Sequence, residues 1–315
     1  MSREPWRAWA RSAAMAPGAV YALIVLSLIF GLFTTQFLTL PNLANVGMQA
    51  SVLIIVSLGM TLIILSEGID LSLGPILGLA GVVLALCVKQ QMALALAILV
   101  AILVGATFGL LNGVLIARLG LPPFVVTLGS FGMAQGLALV LTEGSSIPGL
   151  GSGIQYFNDG VIAGIPVPIV ITAVAFFAVY AVLYYTRFGT YVFALGGNEE
   201  ALALAGVRTR LYKAGVYVLG GALAGVGALV MTARMNAAHP TVGVGLEFDA
   251  IASVILGGTS FERGKGWIEG TLIGAAAVAV LRNGLNLIGL STSWQVSMVG
   301  TVIILAIVVD ALRGI

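Results

Sequence analysis

Charge is what this sequence lacks most. Only 8% of its 315 residues are Asp, Glu, Lys or Arg, against about 25% in soluble domains, while 60% are apolar. A soluble fold of that composition would have no solvating surface to cover its core. The net charge is +2 with no basic run, which excludes a nucleic-acid binder. Cysteine is nearly absent: Cys87 stands alone, so no intrachain disulfide or thiolate metal cluster forms, and its apolar surroundings mark an inert buried thiol. His239 is the single histidine, which excludes a two-His zinc motif. Beside Pro240 in an expected outer loop, it reads as a surface side chain. A phosphate loop is missing as well. Gly258 to Gly264-Lys265 has one residue too many, and Gly266 stands where the motif needs a hydroxyl. No carboxylate pair sits at catalytic spacing within a span, no run of buried acids offers a proton relay, and no arginine ladder senses voltage. The chain therefore supplies no catalysis and needs no cofactor of its own, and an ion-coupled pump is disfavoured.

Long apolar runs are what it has. A span needs about 20 apolar residues, and a charge at mid-bilayer costs a few kcal/mol, so the charge-free gaps trace the topology. They place spans near 15–36, 43–65, 71–88, 93–116, 122–141, 166–186, 213–233, 248–260, 267–287 and 294–311. This predicts an all-α polytopic membrane protein of about ten transmembrane helices, forming a single domain over residues 1–315. Arg3, Arg7 and Arg11 precede the first run, which lacks a small-residue cleavage site and reads as an uncleaved helix. With the N-terminus inside, eleven Lys and Arg face the cytoplasm (Arg3, Arg7, Arg11, Arg118, Arg187, Arg208, Arg210, Lys213, Arg263, Lys265, Arg313) and three face outward (Lys89, Arg234, Arg282). The positive-inside rule then puts both termini in the cytoplasm.

Small residues recur four apart at Gly74/Gly78, Gly105/Gly109/Gly113, Gly132/Gly136, Gly221/Gly225 and Gly270/Gly274, a spacing that lets helix backbones approach in lipid. Uncharged polar side chains, among them Gln49, Asn112, Ser130, Asn283 and Asn286, serve interhelical hydrogen bonds or line a path for a polar solute. Glu67 and Asp70 are expected at an inner turn. Residues 248–287 break the pattern. Their charge-free stretches are short and interrupted by Gly257-Gly258 and by Gly264-Lys265-Gly266. They read either as a short, broken helix pair lining a cavity or as two helices joined by a tight basic turn.

Two segments stand outside the spans: an outer loop, 142–165, rich in Gly and Ser, and an inner loop, 187–212, dense in charge. In the inner loop Gly196-Gly197 punctuates the chain, Asn198 is a good N-cap, Glu199 and Glu200 suit the positive end of a helix, and Gly206 suits its C-terminus.

Six segments then carry a resemblance: Glu67-Gly-Ile-Asp70-Leu-Ser-Leu-Gly74, Leu195-Gly-Gly-Asn198-Glu199, Asp249 through Gly258-Thr259-Ser260, Gly264-Lys265-Gly266, Gly270-Thr-Leu-Ile-Gly274 and Asn283-Gly-Leu-Asn286-Leu. In this order they resemble the signature segments of bacterial ribose-type sugar ABC-transporter permeases over nearly the whole chain. The resemblance implies the inner-membrane subunit of an ATP-driven importer for a monosaccharide. Its implied partners are a second permease copy or a homologous permease, a cytoplasmic ATP-binding-cassette ATPase, and a periplasmic or lipid-tethered sugar-binding protein. It also implies that 187–212 is a coupling segment, with Asn198, Glu199, Glu200, Ala201 and Gly206 against the ATPase. Asp70, Asp249, Gly257, Gly258, Thr259, Asn283 and Asn286 become candidates for the translocation path. Branched-chain amino-acid permeases are distant relatives, and the Gly-Ile-Asp-Leu-Ser segment tilts the reading to sugars. The alternatives are a related importer for another small solute, such as a branched-chain amino acid or nucleoside, and an ion-coupled secondary transporter.

Overall fold

The computed structural model describes residues 17–260, 264–291, 293–301 and 304. Arg3, Arg7, Arg11, Arg263 and Arg313 lie outside the described residues, as do positions 302, 303 and 305–311 of the last expected span. Helices α1 (Pro17–Phe33), α2 (Leu40–Leu65), α3 (Leu73–Lys89), α4 (Leu94–Leu119) and α5 (Pro123–Thr142) follow one another through short turns. The outer segment holds strand β1 (Ile147–Pro148), helix α6 (Ser152–Asp159) and the hairpin of β2 (Val161–Ile162) with β3 (Ile165–Pro166). Then come α7 (Val167–Tyr185), α8 (Arg187–Leu204), α9 (Thr209–Met235), strand β4 (Ala237–Ala238), α10 (Leu246–Leu256) and α11 (Ile268–Leu287). The expected span boundaries fall within a few residues of these ends. Proline starts several helices: Pro41, Pro123 and Pro168 stand in first turns, where a missing N–H costs nothing.

Among the described residues six helices are long and apolar enough to cross a membrane, namely α2, α4, α5, α7, α9 and α11. Helices α1 and α3 are apolar but shorter. The bundle is organised round α2, where every residue from Ala50 to Leu65 is buried. A helix apolar on all faces is stable only when other helices surround it. By contrast α4 buries a single small-residue stripe (Ala97, Ala101, Gly105, Gly109, Gly113) and turns Leu96, Leu99 and Leu103 outward.

That stripe shows why these positions are glycine. A Cβ on Gly105 would strike the Gly221 carbonyl oxygen of α9, one on Gly221 would strike the Gly105 carbonyl, and Gly109 and Gly113 meet the backbones of Tyr217 and Ala214. Gly74 and Gly78 likewise admit the backbone of Pro240 and Gly243, and Gly270 and Gly274 admit that of Gly257 and Ser253. Gly132 and Gly136 differ: among the described residues nothing lies within 4 Å of a Cβ at either position. The spacing was the same, but only a facing helix turns spacing into packing.

Three expectations need correction. The outer segment 142–165 is more than a loop. Its helix α6 packs on α9, β1 pairs with β4, and Lys89 donates from Nζ to the Gly149 carbonyl at 2.9 Å. The inner segment 187–212 is helical from Arg187, with a break at Asn198 (φ −168°, ψ 96°), and α9 begins at Thr209. Of the pair near 248–287, only the first member is short. Helix α10 has 11 residues, about 16 Å at 1.5 Å per residue, whereas α11 has 20 and reaches across about 30 Å.

Candidate functional site

Two places in the fold gather chemistry, one where α10 begins and one at α8.

The chain reaches α10 through Pro240–Gly245, a stretch that lies on the bare backbone of Gly74 and Gly78 in α3. Gly245 has φ +96°, a left-handed conformation that glycine adopts freely, and α10 starts directly after it. This start carries two acids, Glu247 and Asp249, both buried. Arg282 of α11 answers Asp249: its Nη2 donates to Oδ1 at 2.7 Å and stands 2.6 Å from Oδ2. A buried carboxylate is tolerated only when paired or hydrogen-bonded, so the pair fixes α10 against α11.

The pair opens onto a cavity of about 630 Å³, a size suited to a small molecule. Gln49 of α2, Arg234 at the end of α9, Asp249 and Arg282 supply its polar groups. Phe248, Leu53, Met231, Val296 and Val299 supply apolar wall, so the described part of the last expected span also reaches it. Arg234 is exposed, and no described carboxylate pairs with it.

Of the path candidates named from sequence, Asp249 alone lines this cavity. Gly257, Gly258 and Thr259 form the other end of α10. There the Gly258 N–H donates to Ile255 O and the Thr259 N–H to Val254 O, with Gly258 at φ +86°; this is the glycine-terminated helix end. The Gly257 carbonyl accepts from Trp267 Nε1 at 2.8 Å. Asn283 makes a reciprocal amide pair with Asn42 (3.0 and 3.1 Å) that ties α11 to α2, and Asn286 is exposed on α11. Asp70 stands in the turn between α2 and α3, as expected, where Glu67 is exposed but Asp70 is fully buried. Its Oδ1 accepts from the Ser72 N–H and Ser72 Oγ, Asn112 Nδ2 donates to its Oδ2 and to Ser72 Oγ, and Ser130 Oγ donates to Asn112 Oδ1. This closed network joins the segment before α3 to α4 and α5.

Sequence reasoning passed over Arg282 as a boundary charge. An arginine five residues inside an apolar helix needs a partner, and the acid that begins the neighbouring short helix was the available one.

At α8 the Asn198 side chain accepts from the Ala201 N–H at 2.8 Å and caps the half-helix that follows. That half ends in the glycine motif again: the Gly206 N–H donates to Ala203 O and the Val207 N–H to Leu202 O, with Gly206 at φ +81°. Glu199 turns back to Lys213 of α9, Oε2 to Nζ 2.6 Å. Glu200, Ala201, Ala203, Leu204, Ala205 and Gly206 are exposed. Of the two acids, Glu200 is thus the exposed one.

Among the described residues, six helices long and apolar enough to cross a membrane, bundled with a cavity that a charge pair faces, make this a multi-pass membrane protein. Residues 42–307 match the family described as the permease component of the branched-chain amino acid transport system, and the chain belongs to that family. The ribose import permease of Escherichia coli K12 is 41% identical over 296 residues, covering 93% of this chain and 92% of that protein. The ribose import permease of Bacillus subtilis 168 is 39% identical over 295 residues, with the same coverage. The D-allose transport system permease of E. coli K12 is 35% identical over 297 residues, covering 94% and 91%. No solved structure matches the chain.

Proposed function

We propose that this chain is the membrane-spanning permease subunit of an ATP-driven importer for a monosaccharide. The observation that carries the reading is its likeness, over more than nine-tenths of its length, to import permeases named for ribose and allose. The cavity suits the task. A sugar offers hydroxyls that both donate and accept; Arg234, Arg282 and Gln49 donate, and Asp249 accepts. The Asp249–Arg282 pair cancels its own charge, so a neutral solute meets hydrogen-bonding groups without a deep electrostatic trap. Affinity then resides in a periplasmic or tethered binding protein, and the permease need only let the solute pass.

The rest follows from the same reading. The subunit lies in the bacterial inner membrane with ten spans and both termini in the cytoplasm, as the eleven-to-three division of Lys and Arg supports. It works beside a second copy of itself or a homologous permease. The knuckle 198–206 seats in a separate ATPase, which binds and hydrolyses the ATP; the permease holds no cofactor and performs no catalysis.

The test is uptake by variants of the charge pair. Asp249→Asn and Arg282→Gln should each lower sugar uptake at least tenfold in a complex that still inserts and assembles. Wild-type uptake by both would remove this cavity from the path.

A further inference from the structure

A second cavity, of about 510 Å³, lies at the opposite end of α9 from Arg234, between the last three turns of α4 and the start of α9. Its lining is graded. Leu110, Val114 and Arg118 follow one another at four-residue spacing along α4, so they form one stripe about 12 Å long. On the α9 side, Arg208 and Arg210 stand at the helix start, and Leu211 and Ala214 lie further into the bundle. All three arginines are exposed, and no described carboxylate pairs with any of them. Leu110 and Leu211 are also largely exposed. The cavity is therefore basic at its mouth and apolar along its depth, with three uncompensated positive charges.

We propose that this cleft binds an anionic phospholipid, its phosphate among Arg118, Arg208 and Arg210 and an acyl chain along Leu110, Val114 and Leu211. A basic pocket between transmembrane helices at the membrane surface is the arrangement that takes acidic headgroups, and guanidinium groups bind phosphate as a planar fork. The gradient selects a lipid over the two other occupants. A free phosphate would leave the leucine wall bare. A soluble ATPase could meet the arginines but would not enter among residues two helical turns deeper. Bound here, the lipid would brace the α4–α9 seam, whose glycine contacts run from Gly105 to Gly113. The inference needs only that these helix ends lie at the membrane surface, and it stands apart from the identity of the transported solute.

Native mass spectrometry of the full-length permease in non-ionic detergent tests it, with phosphatidylglycerol and cardiolipin as probes and phosphatidylcholine as reference. The wild type should retain the anionic lipids selectively. Each Arg→Gln change should weaken retention about fivefold and the triple change on the order of a hundredfold. The triple Arg→Lys variant, which keeps the charge but loses the fork, should fall between the wild type and the triple Gln variant, and Arg187→Gln, outside the cleft, should change nothing. If the triple Gln variant does not fold, Arg118→Gln alone carries the test through its fivefold effect. Wild-type retention by the Gln variants would overturn the proposal. So would displacement of the lipid by millimolar inorganic phosphate, which marks a free-anion site. Loss of ATPase capture with lipid retention unchanged would assign the arginines to the ATPase and overturn it equally.

Discussion

Glu200 is where the account of coupling can be broken most cleanly. It is exposed on the half-helix that Asn198 caps, while its neighbour Glu199 is tied to Lys213 across 2.6 Å, with the glutamate side chain 41% exposed. If this knuckle seats in a cleft of the ATPase, reversing the charge at Glu200 strands a partner in a partly desolvated contact. That costs about 2–5 kcal/mol, or roughly 30-fold to several thousandfold in binding. On a helix that merely faces water, the loss is a fraction of that, about 0.3–1 kcal/mol from the helix dipole. The Glu199–Lys213 pair is solvent-screened and worth about 0–1 kcal/mol, so Glu199→Gln should weaken capture by less than about fivefold. Pull-down of the ATPase by the full-length permease, with Glu200→Lys, Glu200→Gln and Glu199→Gln compared, separates these cases. Undiminished capture and uptake by Glu200→Lys would refute docking through this face, and a larger loss at Glu199 than at Glu200 would refute the orientation.

Gly105→Ala should cost about 1–3 kcal/mol of stability by forcing α4 from α9, whereas Gly132→Ala, with nothing within 4 Å, should stay within about 0.5 kcal/mol; equal shifts in detergent melting temperature would contradict the packing. Gly258→Leu puts a branched side chain at φ +86° and should abolish uptake with the protein still inserted, and Gly258→Asn, which tolerates that conformation, should restore part of it; wild-type uptake by the Leu variant would show that the end of α10 is not critical. Cysteines introduced at Ser145 and Ala203, both exposed, should be labelled from opposite faces of the membrane, and labelling of both from one face would overturn the topology.

The fold was legible where one physical rule acts alone. Charge-free gaps located α2, α4, α5, α7 and α11 to within a few residues, because a charge in hydrocarbon is costly whatever surrounds it. Asn198 and Gly206 could be read as caps for the same reason, since capping is local. What stayed hidden depends on distant partners. Gly-Ile-Asp-Leu-Ser reads as a turn; Ser72, two residues on, and Asn112, 42 residues on, together make burial of Asp70 tolerable, and only the first is local. The first half of α8 carries Gly189 and Gly196, residues that weaken an isolated helix; Gly196 is there to admit the backbones of Leu65 and Gly264. Asp249 was singled out at the mouth of a short helix, but its partner lies 33 residues away, and no periodicity links the two. Gly132 and Gly136 looked like Gly105 and Gly109 because spacing records what a helix can do, not what faces it.

The central claim is that this permease carries a monosaccharide when driven by a separate ATPase. The direct measurement is uptake into proteoliposomes holding the permease with its ATPase and sugar-binding protein, ATP inside, and radiolabelled ribose, allose, galactose or leucine outside. Concentrative uptake of one of the sugars, dependent on ATP and on all three proteins, is the predicted result. Uptake of leucine with none of the sugars, or sugar uptake that persists without the ATPase, would contradict it.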